Sequence, residues 1–340
     1  MAANSWNRVV DIDTGMIMVV TDLHGDWALY RQYRDKFLAL HKEGLADYLV
    51  LAGDLIHFYG PVEQDGSLRM VLDVLKLKEL LGNRIIYLMG NHELPHIYSI
   101  TLQKGSHLYT PAFEAALGEH RSRVLALFDQ LPFYVRTRAG VLISHSGASA
   151  AMSDPASVER LLNFSHRRVW RETAESLPPQ IRPSLRKALS KTSQQSYEDM
   201  VRRYFAVKGP DDPRYDHFLI GAVSTTSHPD FQLLWEVMFG RNELQYGDEA
   251  YALLMDSMLQ ACSRNYYPQR VLVAGHLDCR GGYKIIRDRQ LRLASGKHAV
   301  PRRSGLYLLM DAEVEVRTAT DLIPRLGSVL RGASSGQKAG

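Results

Sequence analysis

At 340 residues with 45% hydrophobic side chains, the chain is long enough for one large domain or two ordinary ones, and a mainly disordered polymer is excluded. Its 41 Lys and Arg against 37 Asp and Glu leave a net charge of +4, far from the dense positive field of a dedicated nucleic-acid binder. Cys262 and Cys279 are too few for a disulfide framework or a thiolate zinc site, and are expected as reduced thiols. The N-terminal MAANSWNRVVDIDTG has no apolar stretch of signal-peptide length, and no apolar run approaches membrane-spanning length. A soluble, cytoplasmic protein with no membrane contact is expected.

Apolar runs at Met16–Val20, Tyr48–Ala52 and Ile85–Met89 have strand length, and the amphipathic segments Trp27–Leu45 and Leu68–Leu81 between them have helical spacing. Strand, helix, strand, helix, strand predicts a parallel α/β sheet. A helix follows over Pro111–Gln130. Phe133–Arg138 and Val141–Ser144 then flank Ala139-Gly140 at hairpin spacing, which makes the sheet mixed. From about 148 to 265 strand signals thin out, and Ala156–Glu175, Pro183–Phe205 and Glu249–Cys262 read as helices of an insertion or cap. Strand character returns at Val271–Ala274, Tyr283–Arg287, Gln290–Ala294, Gly305–Asp311 and Val314–Arg317. One domain over 1–326 with a helical insertion, and a flexible tail over 327–340, is the expected organisation.

The ends of these strands carry the chemistry. Met16–Val20 runs into T-D-L-H-G-D, placing Asp22 and His24 two residues apart, where extended chain points both side chains to one face. Tyr48–Ala52 ends at Asp54 and Ile85–Met89 at Asn91 and His92, while His145 follows Val141–Ser144 and His276 follows Val271–Ala274. Each motif alone is ordinary turn chemistry. Together they offer two Asp, one Asn and three His, besides His92. Oxygen and imidazole donors without thiolate suit a pair of borderline divalent ions such as manganese, iron or zinc, and suit calcium or magnesium poorly. A carboxylate bridging two ions roughly 3.5–4 Å apart is the arrangement that activates water and clamps a phosphoryl group, so the pattern points to phosphoester hydrolysis.

As an ordered set, TDLHG, GDLIHFYG, GNHE, HSG and a late GH resemble the motifs of the calcineurin-like metallophosphoesterases, and within them the phosphoprotein phosphatases. FQLLWEVMFGRNE, with Trp235 and Arg241, is similar to that group's DLLWSDP segment before an arginine, and GGYKI and LASGKHA stand where it has DGYEF and FSAPNYC. The resemblance spans about residues 16 to 318. It implies an α/β fold with a mixed β-sheet sandwich flanked by helices, and a dinuclear phosphatase acting on phosphomonoesters, plausible substrates being protein phosphoserine and phosphothreonine. It further implies direct attack of a metal-bridging water, with Asp22 and His24 on the first ion, Asp54 bridging, and Asn91, His145 and His276 on the second. Members differ in which ion the late histidine binds. His92 would be the general acid.

The family's GDxxDRG has an orienting Asp and a phosphate-binding Arg where this chain has His57 and Phe58. His57 either takes over the orienting bond to His92 or lies at the rim. Arg241 aligns with the family's other phosphate arginine, with Arg280 and Arg69 as further candidates. His298 either lines the pocket or sits on a surface loop. His96 reads as a turn or helix-start residue, Glu93 as structural, and Arg167, Arg168 and Arg171 as either a solvated face or a contact for an acidic substrate. A dinucleoside polyphosphate hydrolase of the diadenosine tetraphosphatase type, sharing the metal motifs, is the alternative activity, and a weakly catalytic binding scaffold the alternative class. Substrate and oligomeric state are not written in the sequence.

Overall fold

The computed structural model describes residues 7–330. Two mixed sheets face one another. One is ordered Leu326–Gly327, Tyr307–Asp311, Met16–Val20, Tyr48–Leu51, Ile85–Tyr87, its last three strands parallel and Tyr307–Asp311 antiparallel to both neighbours. The other is ordered Val9–Ile12, Tyr134–Thr137, Val141–Ser144, Val271–Ala274, Gln290–Leu293, Tyr283–Ile286. Its hairpin turns at Ala139-Gly140 as the sequence predicts, with Gly140 at a φ of 90°.

MIMVV shows no polar alternation because both of its faces are covered. Ile17 and Val19 join the core between the sheets with Ile143 and Val273, whereas Met18 and Val20 join a second core with Phe37 and Val74 of the flanking helices. Those helices, Trp27–Lys42 and Ser67–Leu81, are the crossovers that parallel pairing requires. Because Met16–Val20, Tyr48–Leu51 and Ile85–Tyr87 run the same way, their C-terminal ends share one edge.

Several expected elements are cut by local backbone chemistry. The helix read over Pro111–Gln130 is two, Thr110–Leu117 and Arg121–Asp129, parted at Gly118 with a φ of 44°. Ala156–Glu175 divides into Pro155–Leu162 and His166–Glu175 because the Ser165 side chain accepts from the Arg168 N–H and starts a new helix. Pro183–Phe205 likewise breaks into Arg182–Ser193 and Tyr197–Phe205 at left-handed Gln194, with Ser196 capping the second. Val314–Arg317 is not a strand: the N–H groups of Arg317 and Thr318 are taken by the Asp321 carboxylate, not by a ladder. Among the described residues, 148–265 contains helices and no strand. Of the tail read at 327–340, Gly327 pairs with Tyr307 at a sheet edge, and residues 331–340 lie outside the described residues. Both cysteines are buried and unpaired. No helix among the described residues is long and apolar enough to cross a membrane.

Candidate metal centre

The strand ends bring Asp22, His24, Asp54, Asn91, His92, His145 and His276 into one place, as their motifs predict, but not by extended chain. Asp22, His24, Asp54, His57 and His276 have φ of 50°, 44°, 52°, 72° and 71°, a left-handed backbone uncommon outside glycine, which five residues of one site share. Asp22 and His24 therefore reach the same space from left-handed backbone, on a segment whose N–H groups bond to the Gly53, Asp54 and Leu55 carbonyls. Glycines make room for them. A Cβ at Gly90 would collide with the Asp54 carboxylate and backbone N, and one at Gly275 with the Asp22 carboxylate.

Acceptor atoms face one another at the centre. His24 Nδ1 lies 3.2 Å from the Ile56 carbonyl and His145 Nδ1 lies 3.0 Å from the Ala52 carbonyl. Each ring must donate there, which leaves a lone pair on Nε2. His24 Nε2 is buried with no hydrogen-bond partner. The His145 Nε2 lone pair faces Asn91 Oδ1 at 2.8 Å, and Asp54 Oδ2 sits 3.6 Å from His24 Nε2 and 3.5 Å from His145 Nε2. Acceptors that converge in this way repel one another unless a cation lies between them, and an imidazole whose other nitrogen is tied to a carbonyl is the usual arrangement of a metal-binding histidine. Asp22–His24–His298 and Asp54–His145–His276 each place their donor atoms within 4.8 Å of one another. The set fits two divalent ions flanking Asp54.

Electrostatics agree. Burial, reinforced by neighbouring imidazoles, holds His24 and His276 well below the ordinary histidine value, so these two rings are neutral and able to ligate. Burial, then the charges of Glu93 and Asp22, pushes Asp54 well above the usual carboxylate range. A bound cation reverses that penalty.

Glu93, read as structural, ties the loops together. Fully buried, its carboxylate accepts from the N–H groups of Asp54, Leu55 and Gly90 at 3.0 Å each and from the Tyr87 hydroxyl at 2.7 Å. An amide cannot accept all four bonds and turns an N–H toward other donors. Glu93→Gln is therefore expected to lower stability on the order of 3 kcal/mol, measured by urea unfolding of the metal-loaded protein; a loss under about 0.5 kcal/mol would show that the loops hold without it.

His92, 8% exposed, closes the centre on its outer side, with Nε2 3.9 Å from Asp54 Oδ2 and Nδ1 2.9 Å from His57 Nδ1. His57 is buried behind His92, not at the rim. A cleft of about 460 Å³ opens outward, lined by His24, Asp54, His92, Arg241, His276 and His298 among others. The turn carrying Arg241 is held to the HSG loop, where Ser146 Oγ donates to the Val237 carbonyl at 2.6 Å and Asn242 Oδ1 accepts from the Gly147 N–H at 3.1 Å.

His298 faces the centre, its Nε2 3.8 Å from Asp22 Oδ1 and its Nδ1 2.6 Å from Asp278 Oδ1. Phe58, at the position of the family's arginine, faces an adjoining cleft with Lys297 and Arg302. Lys104 also lines the central cleft, and Lys297 Nζ lies 4.0 Å from the centre of the Tyr59 ring at its edge. Arg69 stacks on Trp27, and neither it nor Arg280 lines the cleft. Arg167, Arg168 and Arg171 pair with Asp129, Asp230 and Glu175, a solvated face.

A family model described as calcineurin-like phosphoesterase matches residues 15–211, more than half of the chain, a span that holds every candidate site residue named above up to His145 but not Arg241, His276 or His298. Among solved structures, the chain is similar to a protein serine/threonine phosphatase from Saccharomyces cerevisiae with similarity to human phosphatase PP5, at 15% identity and a TM-score of 0.48, covering 88% of this chain and 76% of that one. It is similar to a cold-active protein-tyrosine phosphatase of a psychrophilic Shewanella species, at 13% identity and 0.45, covering 90% and 78%. A metallophosphoesterase from Sphaerobacter thermophilus matches at 18% identity and 0.24, covering 39% of this chain and 47% of that one. No curated protein matches the sequence.

Proposed function

The chain belongs to the calcineurin-like phosphoesterase family, and from that premise we propose that this metal-dependent phosphatase hydrolyses phosphomonoesters, with phosphoserine and phosphothreonine in proteins as the physiological class. The observation that carries the reading is the ring of acceptor atoms around Asp54 Oδ2 with His92 Nε2 on its cleft side. Asp22, His24, Asp54 and His298 would hold one divalent ion and Asp54, Asn91, His145 and His276 a second, and such a pair would supply an activated water and positive charge for the phosphoryl oxygens. Manganese, iron or zinc each suit these donors.

The side chains do the rest. Arg241 grips the phosphoryl oxygens as a bidentate donor, and Lys104 and Lys297 supply the positive charge that Phe58 cannot. His92 holds the proton that the departing alkoxide needs at Nε2. Residues 1–326 act as one domain whose helical stretch at 148–265 reaches the cleft through Phe239 and Arg241 and thereby selects among esters.

The test is a panel of para-nitrophenyl phosphate, phosphoserine and phosphothreonine peptides and diadenosine tetraphosphate. Turnover of the monoesters is expected; turnover of the dinucleotide alone would overturn the reading in favour of a polyphosphate hydrolase. On the preferred monoester, Arg241→Ala should lower kcat/KM about 10–100-fold, the worth of one charge-assisted contact.

A further inference from the structure

Behind His92, away from the cleft, runs a row of buried side chains that the metal chemistry does not use. His57 Nε2 meets His96 Nε2 at 2.8 Å, His96 Nδ1 meets Glu114 Oε1 at 2.8 Å, and Arg121 Nε donates to Glu114 Oε2 at 3.1 Å. His57, His96 and Glu114 are 2%, 0% and 3% exposed. His96 is the middle residue of the short helix Leu94–Tyr98, which follows GNHE directly, and Glu114 comes from the helix Thr110–Leu117.

With each imidazole neutral, the row has one direction. Burial alone would raise the Glu114 carboxyl, but the hydrogen bond from His96 together with the charge and hydrogen bond of Arg121 holds the group below its usual range, ionised and able only to accept. A neutral His96 then carries its one proton on Nδ1, facing the carboxylate, which leaves a lone pair on Nε2. That lone pair takes the Nε2–H of His57, whose Nδ1 is left to accept the Nδ1–H of His92. Neutral His92 thus keeps its lone pair on Nε2, the atom that faces Asp54. Ring contacts fix the planes: Tyr109 stacks on His57 with centroids 5.3 Å apart, and Phe113 sets its ring against His96 at 4.7 Å.

We propose that Glu114 and His96 are positioning residues that act through His57 to hold His92 in its Nδ1–H tautomer, a task that the motif resembled by GDLIHFYG gives to a single aspartate at the position of His57. The carboxylate has not been lost; it stands two imidazole rings further from the cleft. This rests on the reading of His92 as proton donor. Protonated His92 gives its Nε2 proton to the departing alkoxide, which leaves as the alcohol, and the ring is left as the Nδ1–H tautomer already bonded to His57. No other group in the row changes its proton count.

Glu114→Gln tests the direction. Its single oxygen is claimed by Arg121, so its N–H faces His96 and reverses the row, leaving neutral His92 with its proton on Nε2. In zinc-loaded protein labelled with 15N at histidine, the wild type should show Nδ1–H at His92 and His96 and Nε2–H at His57, and Glu114→Gln the opposite set. Its kcat on alkyl phosphates should fall about 10²-fold with KM unchanged, and far less on para-nitrophenyl phosphate, whose leaving group needs no proton. His96→Gln, which can accept from His57 and donate to Glu114, should stay within about tenfold of wild type, and His96→Leu should fall as Glu114→Gln does. This pair decides the matter if Glu114→Gln does not fold. Wild-type tautomers in Glu114→Gln, or His96→Leu equal to His96→Gln on alkyl esters, would overturn the proposal. His92→Asn separates it from the underlying reading: if that variant loses nothing on alkyl esters, His92 is not the donor, whereas if it loses activity and the row variants do not, only the row is refuted.

Discussion

Asp54→Asn is expected to remove hydrolysis of para-nitrophenyl phosphate by metal-stripped protein titrated with manganese, on the order of a 10³-fold loss in kcat, since the dinuclear arrangement is worth several kcal/mol of barrier. The carboxylate is central by position: Oδ2 lies between His24 and His145, and Oδ1 accepts the His92 N–H at 3.0 Å. An amide oxygen keeps that backbone bond, so the loops around it should survive. What it lacks is the negative charge that two cations share. In the metal-free protein the same change should raise thermal stability, because a buried carboxylate beside Asp22 and Glu93 is relieved of its charge. Manganese should then stabilise the wild type, as any ligand of the native state does, and the variant little. Activity within about tenfold of wild type would sink the bridging role. A wild type that binds two ions yet hydrolyses no ester would move the scaffold reading ahead.

What the sequence made legible follows the geometry of parallel strands. Asp22, Asp54 and Asn91 could be brought together from sequence because strands running one way end at one edge, and each motif sits directly after its apolar run. His298 gives no such signal: it follows Gln290–Leu293 on a loop, and its place beside Asp22 depends on how that loop returns. Glu114 is a charged residue in an otherwise ordinary amphipathic helix, and nothing in its spacing connects it to His96 or His57. The left-handed backbone at Asp22, His24 and Asp54 was equally hidden, since only a small share of Asp and His residues adopt it and nothing in the spacing marks which. Helix breaks are a different case. Ser165 and Ser196 are ordinary N-cap residues, and apolar periodicity carried the reading across them only because the pattern resumes on the other side.

His92→Asn should separate proton transfer from metal chemistry. The Asp54 carboxylate takes its hydrogen bond from the backbone of residue 92, so the substitution leaves that bond in place, and the Asn side-chain N–H can still reach His57. Two equivalents of manganese should therefore bind as in the wild type. The lost group is the Nε2 proton. A departing serine alkoxide is a poor leaving group and needs that proton, so kcat on a phosphoserine peptide should fall about 10²–10⁴-fold, the usual worth of a general acid. para-Nitrophenolate departs unaided, and on that ester the loss should stay within about tenfold. Asp54→Asn fails on both esters and His92→Asn on one, which assigns the two residues to different steps. Equal losses on both esters at unchanged metal stoichiometry would mean that His92 holds the phosphoryl group and does not protonate the leaving oxygen, and the row of imidazoles behind it would then orient a binding group.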